Sequence, residues 1–256
     1  MDKVVKWKKN ADDFYRILEG KIEVETIVRS ERWLAIVDYR FDPADGDDHI
    51  LVIPIIPVQS SWDLTIADAI ALLELRTVIS DVVKAMGWTA KQGFRIDIPV
   101  NPPYQQEPWL QILITRSDKK KLKPEADAEG YSRDDGHFTS MLNGDRRAEV
   151  IYSNRSFTAV LDPEDEDVLE YDAALTLILN RKCVSILDDD FTDEDWLCLI
   201  SAARRSADRL GLNANHFYMN VLPPYQHTAW VHAHVLAGKK IQPTNHTGDF
   251  LLKAAH

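Results

Sequence analysis

The hydrophobic positions of this chain follow two different periods, and the period changes at defined points. Ile22 to Val28 and Trp33 to Asp38 predict two strands separated by a polar turn, and the continuous apolar run from Ile50 to Ile56 predicts a buried strand. Between Ile66 and Met86 the apolar positions recur every three or four residues, and Gly87 stands where a helix would end. The first half therefore predicts an antiparallel meander followed by one long helix.

The second half repeats this order of elements. Asp193 to Leu210 has the apolar spacing of a long helix, with Thr192 placed as its N-cap and Gly211 as its stop. After each helix a strand leads through a Pro-Pro-Tyr-Gln loop into a final strand. The pattern predicts an α+β fold in which a strand-strand-strand-helix-strand-strand unit occurs twice.

Direct sequence matches support a duplication. Trp33 to Asp38 matches Phe157 to Asp162 at an offset of 124 residues, and the Pro-Pro-Tyr-Gln loop at 102–105 returns at 223–226, an offset of 121. One three-residue deletion after the second helix brings both matches into register. We therefore predict repeat one at 1–116 and repeat two at 141–256. The connecting segment, 117–140, is rich in charged residues and is predicted to be an exposed linker or surface loop.

Charge and cysteine content exclude several classes of function. The formal net charge of −11 is spread over both halves, which disfavours a nucleic-acid footprint. Cys183 and Cys198 lie in apolar runs without metal-ligand spacing, which is typical of two buried thiols in a reducing compartment. No segment has the length of a signal peptide core or a membrane span. We expect a cytoplasmic protein that binds neither nucleic acid nor membrane.

One strand carries a candidate site. In the stretch from Trp230 to Leu236 the period of two places Trp230, His232 and His234 on one face and the apolar residues between them on the other. Two imidazoles on one face can bracket a phosphate or a metal ion, although such pairs also occur on exposed strands. No third ligand stands at a diagnostic spacing, so the prediction for a metal site is none.

The sequence around this strand resembles the histidine-triad (HIT) superfamily, whose signature is His-φ-His-φ-His-φ-φ, where φ is apolar. The matching stretch runs from Tyr225 to Gly238. In repeat one, Phe14 to Gly20 is similar to the opening helix of the family, and Asp48 to Pro54 is similar to its His-x-Leu-Val-x-Pro strand. The resemblance covers nearly the whole chain.

The resemblance implies a specific architecture. Two tandem HIT-like repeats would each form an antiparallel sheet with one long helix and a shorter N-terminal helix, and together they would make an intrachain pseudo-dimer. The galactose-1-phosphate uridylyltransferases and the dinucleoside tetraphosphate phosphorylases are similar in being single-chain duplications.

The resemblance also implies catalytic roles. His232 falls on the nucleophile that forms a nucleotidyl-histidine intermediate, and His234 falls on the histidine that donates to non-bridging phosphate oxygens. Gln226 matches a glutamine that holds the phosphate or the scissile oxygen. His227 occupies the place of a leaving-group Ser or Thr, where it acts as general acid or is simply a surface histidine.

Four further residues are predicted to contact the substrate, namely Trp230, Asp162, Asn220 and Tyr225. Trp230 replaces the first histidine of the triad, which would change the orientation of the site or the bulk of the substrate. Asp162 lies where the family places an acid on the ribose hydroxyls, and its alternative is a strand-ending Asp before Pro163.

The two repeats are expected to divide the work. Repeat one carries Trp109, Gln111 and Leu113 on the face that corresponds to the histidines, so it has no nucleophile. It keeps His49, whose repeat counterpart by sequence offset is Ala173. This predicts one working site and one structural or binding half.

The leading hypothesis is a nucleotidyl hydrolase or transferase, phosphorylase-like, that acts on a nucleotide or nucleotide conjugate through a covalent nucleotidyl-histidine. No cofactor is required, although a divalent metal could enter with the substrate phosphates. The first alternative is a non-catalytic nucleotide-binding or scaffolding protein, and the second is a metal-dependent enzyme that uses His232 and His234 as ligands. The chain is expected to be a monomer or a homodimer.

Overall fold

The computed structural model describes residues 12–38, 41, 46–60, 63–64, 68–89, 92–105, 107–145, 148–161, 171, 173–213 and 215–238. Asp162, one of the predicted substrate contacts, lies outside these residues. The helices are α1 (Asp12–Leu18), α2 (Ala69–Ala85), α3 (Gly136–Asn143) and α4 (Asp193–Arg209). The strands are β1 (Thr26–Arg29), β2 (Trp33–Val37), β3 (Asp47–Pro54), β4 (Phe94–Val100), β5 (Ile112–Ser117), β6 (Glu149–Ser153), β7 (Phe157–Leu161), β8 (Ala173–Leu179), β9 (Asn215–Val221) and β10 (His232–Ala237).

All ten strands form one antiparallel sheet whose order is symmetric about its centre. The order is β1-β2-β3-β5-β4-β9-β10-β8-β7-β6, so each strand of repeat one has its counterpart at the mirrored place in repeat two. The central pair, β4 and β9, joins the two halves along seven residue pairs, from Phe94 opposite Val221 to Val100 opposite Asn215. The α+β class and the tandem architecture predicted from the sequence are confirmed.

The strand register corrects one detail of the repeat alignment. His49 pairs with Thr115 in β5, and the residue of β10 that corresponds to Thr115 is Leu236, which pairs with Ala174. The structural counterpart of His49 is therefore Ala174 and not Ala173, because β8 is displaced by one residue relative to the sequence offset. Repeat two still lacks that histidine.

The two long helices cover one face of the sheet. Trp33 in β2 donates its indole N–H to the carbonyl of Ala71 in α2, and Trp196 in α4 donates to Leu72 at 2.8 Å. These tryptophans are fully buried, and each bond pairs a polar atom that the core would otherwise leave unsatisfied. The short helices and the loops lie on the opposite face of the sheet.

The predicted start of α4 is confirmed by a reciprocal cap. The Thr192 hydroxyl accepts from the backbone N–H of Asp195 at 3.2 Å, and the Asp195 carboxylate accepts from the backbone N–H of Thr192 at 2.9 Å. This capping box satisfies two donors at the helix terminus. None of the described helices is long and apolar enough to cross a membrane.

The Pro-Pro-Tyr-Gln loops tie each repeat to the other. The Tyr104 hydroxyl of repeat one accepts from the backbone N–H of Gly238, at the end of β10, at 2.9 Å. The Tyr225 hydroxyl of repeat two bonds the backbone of Ser117, at the corresponding end of β5. Reciprocal bonds of this kind fix the two halves at both ends of the central strand pair.

The connecting segment is only partly an exposed linker. Most of residues 118–129 are exposed, as predicted, but Tyr131 and Phe138 are each only 6% exposed. The backbone N–H groups of Ser132 and Arg133 donate to the carbonyl of His227 at 3.0 and 2.9 Å. The last third of the segment therefore packs on the loop before β10, and α3 begins within it.

We expect Gly93→Ala to destabilise the protein, because the loop of the other repeat passes directly over this residue. A Cβ atom at Gly93 would lie 2.0 Å from the carbonyl oxygen of Leu222, and the Gly93 N–H donates to Pro223 at 2.8 Å. Displacing that backbone should lower the free energy of unfolding by about 1–3 kcal/mol. Urea unfolding measures this, with Gly136→Ala as the control. The flexible Asp134 side chain is the nearest neighbour there, so an equal loss in both variants would contradict the account.

Candidate active site

The structure brings the two histidines of β10 together on the sheet face that carries no long helix. His232 is 8% exposed, and its Nδ1 lies 2.8 Å from the carbonyl oxygen of Trp230. A carbonyl oxygen only accepts, so Nδ1 carries the proton and Nε2 carries the lone pair. This is the tautomer that an attacking imidazole needs, and the strand fixes its direction.

His234 is held as a neutral ring beside it. Its ring stacks on Tyr218 with centroids 4.6 Å apart and meets the His232 ring edge-on at 5.2 Å. Its Nδ1 lies 3.4 Å from the Thr176 hydroxyl. Burial, and then the neighbouring His232 and Arg95, lower the pKa of His234 well below its usual value. A neutral His234 can still donate one N–H to a phosphate oxygen.

Trp230 forms a wall of the site. It is 7% exposed, its indole N–H donates to Leu179 at 2.8 Å, and its ring meets Phe138 of α3 edge-on. Trp109, its counterpart in repeat one, donates in the same way to Pro54 at 3.2 Å. Because both repeats keep this bond, the geometry favours a structural role for Trp230 over the predicted substrate contact. Phe138 also contacts the His232 ring at 4.9 Å and closes one side of it.

Gln226 is buried, and its amide is engaged by the backbone of its own loop. Its Nε2 donates to Val184 at 2.8 Å and to Thr228 at 2.7 Å, and its Oε1 accepts from the N–H of Leu222 at 3.0 Å. Gln105 of repeat one makes the same set of bonds, although that repeat has Gln111 and Leu113 in place of the two histidines. The shared bonds favour a role in shaping the loop over the predicted contact with a phosphate.

Gln226→Leu and Gln105→Leu should therefore destabilise the protein by similar amounts. Each substitution leaves buried backbone groups unpaired, which lowers the free energy of unfolding by about 1–3 kcal/mol. Thermal or urea unfolding of the two variants measures this effect. If Gln226 were catalytic, Gln226→Leu would instead lower turnover with little loss of stability, and Gln105→Leu would leave turnover unchanged.

His227 lies at the entrance of the loop, half-buried under the connecting segment. Its Nδ1 is 3.3 Å from the Ser132 hydroxyl. Burial, and then the cations Lys123, Lys120 and Arg133, lower the pKa of His227 to about 4. At neutral pH only about one molecule in a thousand would carry the imidazolium, so the cluster disfavours the predicted general acid.

Two further predicted contacts are Asn220, which faces the site, and Tyr225, which is buried in the loop that leads to β10. His234 pairs with Tyr218, and Asn220 lies two residues beyond Tyr218 on the same face of β9, in the direction of His232. The Oδ1 of Asn220 is buried without a hydrogen-bond partner among the described residues. Tyr225 is 6% exposed, and burial, reinforced by Asp47, raises its pKa to about 12. Its hydroxyl is occupied by the bond between the repeats.

Sequence reasoning missed a charged cluster that repeat one contributes to the same face. Arg95 Nε donates to Asp97 at 2.8 Å, and His216 Nε2 lies 2.8 Å from the same carboxylate oxygen. The Arg95 guanidinium lies 4.0 Å from the centre of the Tyr218 ring, which in turn stacks on His234. The available signal was the pair of opposite charges at alternating positions of an otherwise apolar strand.

The corresponding face of repeat one is filled with hydrocarbon. An apolar cluster is built there from Phe14, Ile17, Leu34, Ile36, Leu51, Ile53, Trp109 and Leu113. By strand register, the positions of Leu51 and Leu113 are held in repeat two by Thr176 and His234. The face of repeat one that corresponds to His234 and Thr176 is therefore packed with apolar side chains.

Two other features are candidates for a site, namely a metal centre and a cavity on the long-helix face. Among the described residues, no group of three His, Cys, Asp or Glu side chains is placed to hold a metal ion. A cavity of about 720 Å³ lies on the opposite side of the sheet, between the start of α2 and the exposed side of α4. Cys198 lines it and is partly exposed, whereas Cys183 is buried as predicted.

Comparison with solved structures identifies the fold. An ADP-glucose phosphorylase from Arabidopsis thaliana with bound ADP-glucose matches with a TM-score of 0.60 at 10% identity, covering 92% of this chain and 86% of that one. A GalT-like protein from the same plant matches at 0.57 and 11%, covering 88% and 82%, and a uridylyltransferase mutant at 0.53 and 12%, covering 89% and 87%. No protein-family model and no curated protein sequence matches the chain. The chain has the fold of the tandem, GalT-like histidine-triad proteins.

Proposed function

Because the chain shares the fold of the GalT-like histidine-triad proteins, we propose that it transfers or hydrolyses a nucleotidyl group through covalent attachment to His232. The observation that carries this proposal is the bond between His232 Nδ1 and the carbonyl oxygen of Trp230. It fixes the lone pair on Nε2 of a buried strand residue, next to a neutral His234.

The proposed reaction has two displacement steps at one phosphorus. In the first, Nε2 of His232 forms a bond to the α-phosphorus, and the bond from phosphorus to the leaving-group oxygen breaks with its electron pair on that oxygen. In the second, the oxygen of water, phosphate or a sugar phosphate attacks the same phosphorus, and the bond from phosphorus to Nε2 breaks with its electron pair on that nitrogen. When water is the acceptor, its proton passes to the solvent. His234 donates its N–H to a non-bridging oxygen in both steps, where negative charge accumulates.

The substrate proposed is a nucleotide or a nucleotide conjugate. One protein of the same fold holds ADP-glucose, which supports a nucleotide conjugate as the first ligand to try. Asn220 lies on the histidine face of the sheet, two residues beyond the partner of His234, and its side-chain oxygen is unpaired among the described residues, a position suited to a polar group of the ligand.

Product analysis tests the proposal. The protein is incubated with ADP-glucose and UDP-glucose, each with water alone, with inorganic phosphate and with a hexose 1-phosphate, and the nucleotides are separated by chromatography. We expect release of the nucleoside monophosphate, the nucleoside diphosphate or a new sugar nucleotide, according to the acceptor that the site takes. Binding of these nucleotides by calorimetry with no product under any condition would favour the non-catalytic, nucleotide-binding alternative.

A further inference from the structure

A row of polar side chains crosses from repeat one into the site of repeat two. Arg95 pairs with Asn220 across the β4–β9 junction, and Asn220 lies on the same face of β9 as Tyr218, which pairs with His234. All four lie on the face without long helices. Adjacent strands are about 4.8 Å apart, so Arg95 begins two strand spacings from the nucleophile, within reach of a ligand that extends beyond one phosphate.

Arg95 is fixed in place but keeps donors for a ligand. Its Nε is bound to Asp97, and the carboxylate of Asp97 is also bound by His216, so two partners hold that negative charge. The guanidinium carbon lies over the Tyr218 ring, 4.0 Å from its centre. Among the described residues the two terminal nitrogens of Arg95 make no hydrogen bond, and a planar pair of N–H groups is suited to phosphate oxygens.

Asn220 marks the space between Arg95 and His232. The buried Oδ1 of its amide has no hydrogen-bond partner among the described residues. Such a group is costly to leave unpaired. A ligand over Asn220 would satisfy it, and rotation of the amide by 180° presents its NH₂ group to a phosphate oxygen.

The connecting segment brings a second cation to this place. The Lys120 Nζ lies 4.4 Å from the centre of the Tyr225 ring, and the segment is anchored to the His227 carbonyl through Ser132 and Arg133. Burial, and then the neighbouring Arg95 and Lys123, lower the pKa of Lys120. Cations crowded at a partly buried place in a chain of net charge −11 are stabilised by an anion between them.

We propose that Arg95 of repeat one and Lys120 of the connecting segment form an anion subsite beside His232, which binds the group next to the phosphorus that His232 attacks. This inference rests on the proposed function. It gives repeat one and the connecting segment a direct part in substrate binding, and it makes the preferred ligand one with a second phosphate.

Calorimetric titration with ligands that differ by one phosphate tests the subsite. AMP and ADP, and UMP and UDP, are titrated into the full chain and into Lys120→Met and Arg95→Lys. Arg95→Lys keeps the positive charge beside Asp97, but it loses the planar pair of donors. Lys121→Met, a neighbour in the same segment whose Nζ bonds the carbonyl of Asp118, is the matched control.

We expect the wild type and Lys121→Met to bind at least one diphosphate about tenfold more tightly than its monophosphate. In Lys120→Met and Arg95→Lys this ratio should fall to about threefold or less, with the monophosphate affinity unchanged. An unchanged ratio in both variants, or no preference in the wild type, would overturn the subsite even if a His232 adduct forms. If the ratio falls in the two variants as expected but no His232 adduct forms, the proposed function is overturned and the subsite stands. If none of the nucleotides binds, both are overturned.

Discussion

His232→Gln is expected to abolish turnover while leaving the protein folded. Removal of the nucleophile in a covalent mechanism lowers kcat on the order of 10⁴-fold, since both displacement steps depend on it. The fold should tolerate the change because repeat one already holds a glutamine, Gln111, at the corresponding position immediately before β5, where it is 1% exposed. Initial rates with the best sugar nucleotide, together with thermal unfolding, measure both parts of the expectation.

The matched control is His49→Gln, the same substitution on a strand of repeat one. It should change kcat by less than about twofold, because His49 lies on β3, four strands away from β10, with its ring against Phe41. Retention of more than a tenth of the wild-type rate in a folded His232→Gln protein would contradict the assignment of the nucleophile.

Asp97→Asn is expected to produce a large loss of stability. Asp97 is 1% exposed and carries the charge that balances Arg95, so its neutralisation leaves a mostly buried guanidinium without a carboxylate. The cost of breaking such a buried pair is about 3–5 kcal/mol in the free energy of unfolding. Urea unfolding measures it, with Asp81→Asn as the control, because Asp81 pairs with Lys84 at an exposed site and should cost well under about 1 kcal/mol.

The same carboxylate gives the protein a defined acid sensitivity. Burial alone would raise the pKa of Asp97, but the charge of Arg95 and the hydrogen bond from His216 lower it below its usual value. A lowered pKa in the folded state adds stability above about pH 4 and loses it as the pH falls further. The fall in stability below pH 4 should be shallower in Asp97→Asn, and an identical acid limb in both proteins would contradict this origin.

Local sequence signals predicted the helices and strands well, because caps and hydrophobic periods depend only on residues that are close in sequence. The Thr192 cap, the period of α4 and the alternation in β10 can all be read from a few consecutive positions. The bounds of β3 and the one-residue displacement of β8 could not be predicted from local sequence, because they depend on which residue of one strand pairs with which residue of the next. For this reason the sequence offset predicted Ala173 as the counterpart of His49, whereas the strand register gives Ala174.

The residues of the candidate site also fall into two groups, those that local sequence predicts and those that depend on contacts between distant segments. His232 and His234 were predicted because one strand carries both, and the structure places their rings 5.2 Å apart. Arg95 was missed because it comes from the other repeat, and it reaches the histidines only through the pairing of β4 with β9 and of β9 with β10. Gln226 was given a catalytic role because its sequence position matches the family. Only the three-dimensional bonds, and their copy at Gln105, reveal that its amide holds the loop.

The most direct test of the covalent mechanism is to trap and map the adduct. The wild type is mixed with a sugar nucleotide labelled at the α-phosphorus, quenched in alkali within one turnover and digested, and the labelled peptide is sequenced by mass spectrometry. The mechanism predicts close to one acid-labile nucleotidyl group per chain, attached to His232. Product formation within that turnover with no label on the protein, or with the label on another residue, would contradict it.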